Sequence, residues 1–100
     1  MKKLLKIGHR GAKAHVAENT LESISKALEF KVDAIELDVH RCKTGELVVI
    51  HDFTLDRTTD GTGEVARKSW KKLESLNIEG KYKIPLLTEV LELIEGKCSI

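Results

Sequence analysis

The chain has 100 residues, 41% hydrophobic and 33% charged, a balance that suits a globular domain and excludes the disordered, fibrous and membrane-embedded classes. Seventeen basic residues against sixteen acidic ones leave a formal net charge of +1. That gives no electrostatic footprint for nucleic acid or an anionic membrane, so any anion must be bound locally.

The first residues, "MKKLLKIGHRG", begin like a secretory signal, but Lys6, Gly8, His9 and Arg10 interrupt the apolar run before it is long enough. No stretch approaches the ~20 apolar residues of a membrane span. Cys42 and Cys98 lie far apart and form no C-x-x-C pair, which favours buried reduced thiols over a disulfide scaffold. A cytoplasmic location is the expectation. Residues 3–8 read as a short strand, with His9, Arg10 and Gly11 at its C-terminal exit. The segment "ENTLESISKALEFK" puts Leu21, Ile24 and Leu28 on one stripe of a helix over about 20–31, and Asn19 with Glu22 resembles a capping box.

Residues 34–40 alternate as a strand, with Ile35, Leu37 and Val39 on one face and Glu36, Asp38 and His40 on the other. A turn at Lys43, Thr44 and Gly45 leads to a β-branched strand over 46–51. Residues 52–65 lack a period and carry Asp-Gly and Thr-Gly turn pairs, so they read as a long loop, a feature that tends to be functional. A short helix near "SWKKLESL" turns Trp70, Leu73 and Leu76 inward. A second helix offers Leu87, Val90, Leu91 and Ile94 at helical spacing, with Pro85 before it and Gly96 as its stop. A new apolar run begins at "CSI", and no internal repeat or linker interrupts the order.

Strands alternating with helices predict an α/β protein whose parallel strands are covered by helices. Ile35, Leu37 and Val39 then face the helices, while Glu36 and Asp38 face the other side of the sheet. In an open doubly wound sheet two buried carboxylates would be costly there; in a barrel that side is the interior mouth. Side chains two apart on a strand project in parallel, roughly 6.5 to 7 Å apart, close enough for both carboxylates to reach one cation. Such oxygen ligands suit a hard divalent ion, Mg²⁺ or Ca²⁺, more than Zn²⁺; the alternative is a solvated face with ion pairs. His9 and His51 stand at C-terminal strand ends, where α/β folds build their sites, and two imidazoles there can serve as general base and general acid. Arg10 suits an anionic substrate because a guanidinium grips two phosphate oxygens at once, although a surface ion pair would also explain it. Asp52 either orients His51 or caps the loop.

The segments "GHRG" at 8–11, "ENTL" at 18–21, "IELDVH" at 35–40, "VVIHD" at 48–52, "LDRTTDGTG" at 55–63 and "IPLLTEVLEL" at 84–93 occur in one order. Together they strongly resemble the N-terminal part of the glycerophosphodiester phosphodiesterases. The resemblance implies a TIM-type (β/α)8 barrel and metal-dependent hydrolysis of glycerophosphodiesters to glycerol 3-phosphate and an alcohol. It implies His9 and His51 as the acid/base pair, Arg10 as a phosphate contact, and Glu36 and Asp38 as metal ligands, which leaves His40 either as a support to those residues or as an interior side chain. A barrel needs about 250 residues, so residues 1–100 would be the first three strands and their helices of one domain. The remainder, with a third acidic ligand and a phosphate-binding lysine, is expected after Ile100. Two departures from the family pattern stand out: Ala17 where Pro is common, and Leu86 where Thr commonly caps a helix, leaving Thr88 as the nearest hydroxyl. The competing readings are a phospholipase D-like phosphodiesterase on the same barrel and a non-catalytic phosphate- or metal-binding module.

Overall fold

The first elements form a parallel β-α-β unit. β1 (Ile7–His9) runs alongside β2 (Ala34–Glu36) in the register Ile7 to Ala34, Gly8 to Ile35 and His9 to Glu36, joined by α1 (Leu21–Glu29). The computed structural model describes residues 7–11 and 16–95. The expected strand residues 3–6, the stop at Gly96, Cys98 and the apolar run at 98–100 lie outside them. His9 is the last residue of β1 rather than a position beyond it.

α1 is shorter than the stripe suggested and starts from a different cap. Thr20, not Asn19, is the N-cap: its hydroxyl accepts the Ser23 N–H at 3.0 Å and donates to the Ala17 carbonyl at 2.8 Å. Asn19 instead takes a left-handed backbone, φ 54°, and is buried one residue before the cap. Gly11 has φ 76°, and a side chain there would collide with the Ser23 hydroxyl and stand 2.9 Å from its carbonyl carbon. The exit of β1 is thus pressed against the first turn of α1, a closeness that only glycine permits.

The expected strand over 34–40 is broken. After β2 the chain leaves its parallel partner at Leu37–Asp38 and continues as β3 (Val39–Arg41), which pairs antiparallel with β4 (Leu47–Val49). The described strands therefore form two two-stranded sheets, and the pairing is not parallel throughout. Ile35 is buried and Leu37 packs partly against the same cluster, as the alternation required. Val39, however, is 39% exposed, because the change of partner removes it from the face covered by helices.

Two apolar clusters hold these pieces together, and β4 lies between them. Val49 packs with Ile24 and Ala27 of α1, Ile35 of β2, and Val90 and Ile94 of α3 (Leu87–Ile94). Val48 and Ile50 pack with Cys42, Leu55, Val65, Ile78, Ile84 and two leucines, Leu73 and Leu76. Burying each of these larger side chains contributes ~1.5–3 kcal/mol relative to leaving it in water. Leu73 belongs to α2 (Trp70–Glu74) and Leu76 follows it, with Trp70 half-buried beside them, as the pattern predicted. Leu91 of α3 is 44% exposed instead of joining the stripe. The missing Thr at the start of α3 is not replaced by Thr88, which lies inside the helix; the N-cap position is Leu86, whose N–H donates to Glu89 at 2.9 Å.

The 52–65 segment is a loop ending in a single 3-10 turn, Val65–Arg67, but it is tied down at several points. Leu55 donates to the Gly63 carbonyl, Val65 to the Phe53 carbonyl, and Asp60 and Asn77 exchange backbone and side-chain bonds. Leu55 is fully buried and anchors the loop in the second cluster.

Candidate active site

His9 closes β1 and Glu36 closes β2, and the parallel register sets them side by side, with His9 Nε2 3.6 Å from Glu36 Oε2. The other oxygen of this carboxylate, Oε1, is shielded from water and has no hydrogen-bond partner. Arg10 follows His9 with φ 51°, a left-handed turn held by two donors to its carbonyl: the Asn19 N–H at 2.9 Å and the Ser23 hydroxyl at 3.1 Å. Its guanidinium contacts Glu18 through Nη1 at 3.2 and 3.3 Å and Asp38 through Nε at 3.7 Å. Asn19 donates its amide N–H to the same Asp38 oxygen at 3.2 Å.

His51 enters from the other sheet. The Ile50 N–H donates to the Asp38 carbonyl at 2.9 Å, which brings the end of β4 to the point where β2 gives way to β3. His51 Nδ1 lies 2.8 Å from Asp52 Oδ1, so Asp52 orients the imidazole rather than capping the loop. Arg57 donates to both Asp52 oxygens and, with its other edge, to both Glu18 oxygens. The hydrogen bonds from Arg57 hold the Glu18 carboxyl below the usual carboxylate range, helped by the charges of Arg57 and Arg10 and opposed by burial. Asp52 is pushed down further, first by its bonds from Arg57 and then by the one from His51, while the two carboxylates push Arg57 up. His40 keeps to the same neighbourhood: its Nε2 lies 3.0 Å from the His51 carbonyl, and its ring meets Phe53 edge-on at 5.1 Å.

The five residues expected at the site therefore fall into two contact groups, His9 with Glu36 and Arg10 with Asp38 and His51. His9 touches Glu36, Arg10 touches Asp38, and His51 reaches Arg10 through Asp52, Arg57 and Glu18. Glu36 and Asp38 are not successive same-face positions of a single strand, since Asp38 lies in the break between β2 and β3. Among the described residues no cluster of three or more His, Cys, Asp or Glu side chains is placed to hold a metal. Glu18 and Arg57, which link Arg10 to the Asp52–His51 pair, had no role in the sequence reading, although both lie inside its motifs.

A sequence model of the glycerophosphoryl diester phosphodiesterase family matches residues 9–100. The glycerophosphodiester phosphodiesterase of Caldanaerobacter subterraneus is 44% identical over 102 aligned residues, which cover 95% of this chain and 42% of that protein. Glycerophosphodiester phosphodiesterase 1 of Homo sapiens is 36% identical over 78 residues, covering 78% of this chain and 24% of its own length. The crystal structure of the glycerophosphodiester phosphodiesterase from Agrobacterium tumefaciens matches with a TM-score of 0.87 at 38% identity, covering 95% of this chain and 45% of that one. An Oleispira antarctica phosphodiesterase, solved in complex with the product sn-glycerol-3-phosphate, matches with a TM-score of 0.86 at 34% identity, covering 91% of this chain and 40% of the other. The chain thus spans less than half the length of these relatives, and its elements are the first strands and helices of their TIM-type barrel. With the sequence pattern matched from His9 onward and the fold shared with solved members, this chain belongs to the glycerophosphoryl diester phosphodiesterase family, as an N-terminal part of its domain.

Proposed function

We propose that this chain supplies the acid/base half of a metal-dependent phosphodiesterase that cleaves glycerophosphodiesters to glycerol 3-phosphate and an alcohol. The observation that carries the reading is the meeting of two strand-end histidines with two carboxylates and an arginine. His9 lies on Glu36, Arg10 lies on Asp38, and Ile50, next to His51, is hydrogen-bonded to the Asp38 backbone. The product-bound Oleispira antarctica relative supports glycerol 3-phosphate as the retained half of the substrate.

Glu36 and Asp38 would hold the cation. Their donors are hard oxygens, fitting Ca²⁺ or Mg²⁺, and the shielded, unpartnered Glu36 Oε1 is the atom most in need of a positive partner. Charge points the same way: Glu18, Glu36, Asp38 and Asp52 against Arg10 and Arg57 leave the set at −2. When bound, the divalent ion supplies charge stabilisation for the phosphoryl oxygens. A further acidic ligand and a lysine for the phosphate would come from the part of the domain that follows in longer relatives.

Arg10 contributes a second positive charge beside the phosphate, held in place by Glu18. One imidazole removes the proton from the 2-hydroxyl of the glycerol, whose oxygen attacks phosphorus; the other protonates the departing alcohol oxygen. Water then opens the resulting cyclic phosphate with the proton roles reversed. Asp52 fixes the His51 ring in place for each transfer. A cytoplasmic location agrees with Cys42 being a buried free thiol.

The test is substitution in the protein carrying the complete domain. His9→Ala and His51→Ala should each lower kcat on glycerophosphocholine on the order of 10²- to 10⁴-fold, while calorimetric binding of Ca²⁺ or Mg²⁺ is largely kept. Full turnover in either variant would sink the assignment.

A further inference from the structure

We propose that Arg57 is a positioning residue for the His51 imidazole, fixing its tautomer and orientation through Asp52 and tying it to Arg10 through Glu18. The inference rests on the acid/base reading of His51.

The geometry is a strut with forks at both ends. Arg57 donates to Asp52 through Nε at 2.8 Å and Nη2 at 3.0 Å, and to Glu18 through Nη1 at 3.1 Å and Nη2 at 2.9 Å. Asp52 Oδ1 is shared between Arg57 and His51 Nδ1. That carboxylate cannot swing away from the imidazole without giving up a bidentate contact. An ionised carboxylate only accepts, so Nδ1 carries the hydrogen and Nε2 is left to face the substrate. The backbone is held as well, because His40 Nε2 lies 3.0 Å from the His51 carbonyl.

The far end of the strut is anchored. Glu18 is only 14% exposed in its side chain and takes Arg10 on the same two oxygens. Arg57 itself is mounted on a closed turn: Thr59 bonds the Leu55 carbonyl through both its N–H and its hydroxyl, and Leu55 is fully buried. The planar fork is needed at both ends, and lysine offers a single point charge in its place. Half of the Arg57 side chain is in water, and ion pairs at such sites contribute little to stability, so the value of this one lies in alignment.

The experiment uses the protein with its complete domain, a divalent cation and glycerophosphocholine. Arg57→Ala should lower kcat on the order of 10- to 100-fold with KM within about threefold, and Arg57→Lys should recover only part of the loss. Combining Arg57→Ala with Asp52→Asn should cost no more than Asp52→Asn alone, since both act through one contact. Nitrogen-15 spectra of the imidazoles should show the Nδ1–H form at His51 in the parent and a mixture of tautomers in Arg57→Ala, with the melting temperature nearly unchanged.

A kcat within about twofold of the parent for Arg57→Ala, an unchanged His51 tautomer, or a loss confined to KM would overturn the proposal. His51→Ala separates this failure from that of the underlying reading. If His51→Ala stops turnover and Arg57→Ala does not, only the positioning role falls; if His51→Ala is active, both fall.

Discussion

Glu18 stands between two guanidiniums, and its neighbour in that chain, Asp52, stands between a guanidinium and an imidazole. Both carboxyl groups are held below their ordinary values in the folded state. The unfolded chain therefore binds more protons than the folded one as acid is added. The stability these groups contribute is fully present above the ordinary carboxylate range, near pH 4, and is lost as pH falls toward the lower native values. Urea unfolding of the complete protein should show a steeper loss of stability between about pH 5 and 3 than the Glu18→Gln variant shows. The places of His9 and Glu36 were legible in the sequence because strand ends need no knowledge of any loop, whereas Asp38 falls in a break that alternation does not show. Glu18 and Arg57 were not legible, since their contact joins residues 39 positions apart through the path of the 52–65 loop, which no periodicity encodes.

Elements were legible wherever one face met one partner. The stripe of α1 and the inward turn of Leu73 and Leu76 follow from such faces, and both are present. The run "IELDVH" alternates without interruption, yet its first half pairs with β1 and its second with β4. Alternation reports which residues share a side, and it is blind to a change of neighbour. The cap of α1 was misread for a local reason. Asn19 and Thr20 are both good capping residues, and Asn19 is drawn away by the left-handed turn and its bond to Asp38. Thr20→Ala should cost about 2–3 kcal/mol, combining the lost cap and a buried methyl, while Thr20→Ser should cost about 1 kcal/mol. Chemical denaturation followed by circular dichroism measures the difference.

At the scale of the whole molecule, the two sheets have two strands each among the described residues, and Ile7, Val39 and Leu47 on them are each exposed by more than a third. Open strand edges beside apolar surface invite pairing with other chains. Residues 1–100 prepared alone should give no measurable turnover of glycerophosphocholine and should associate with rising concentration, which analytical ultracentrifugation would register; an active monomer would contradict this. The break between β2 and β3 also changes what governs the two carboxylates. Glu36 follows Ile35, which is rooted in one apolar cluster, while the Asp38 backbone is bonded to Ile50, rooted in the other. Their spacing is thus not a fixed property of a pleated strand but the gap of a caliper whose jaws are carried by separate cores. A substitution deep in either core, far from any ligand, can reset that gap while leaving every residue of the site unchanged.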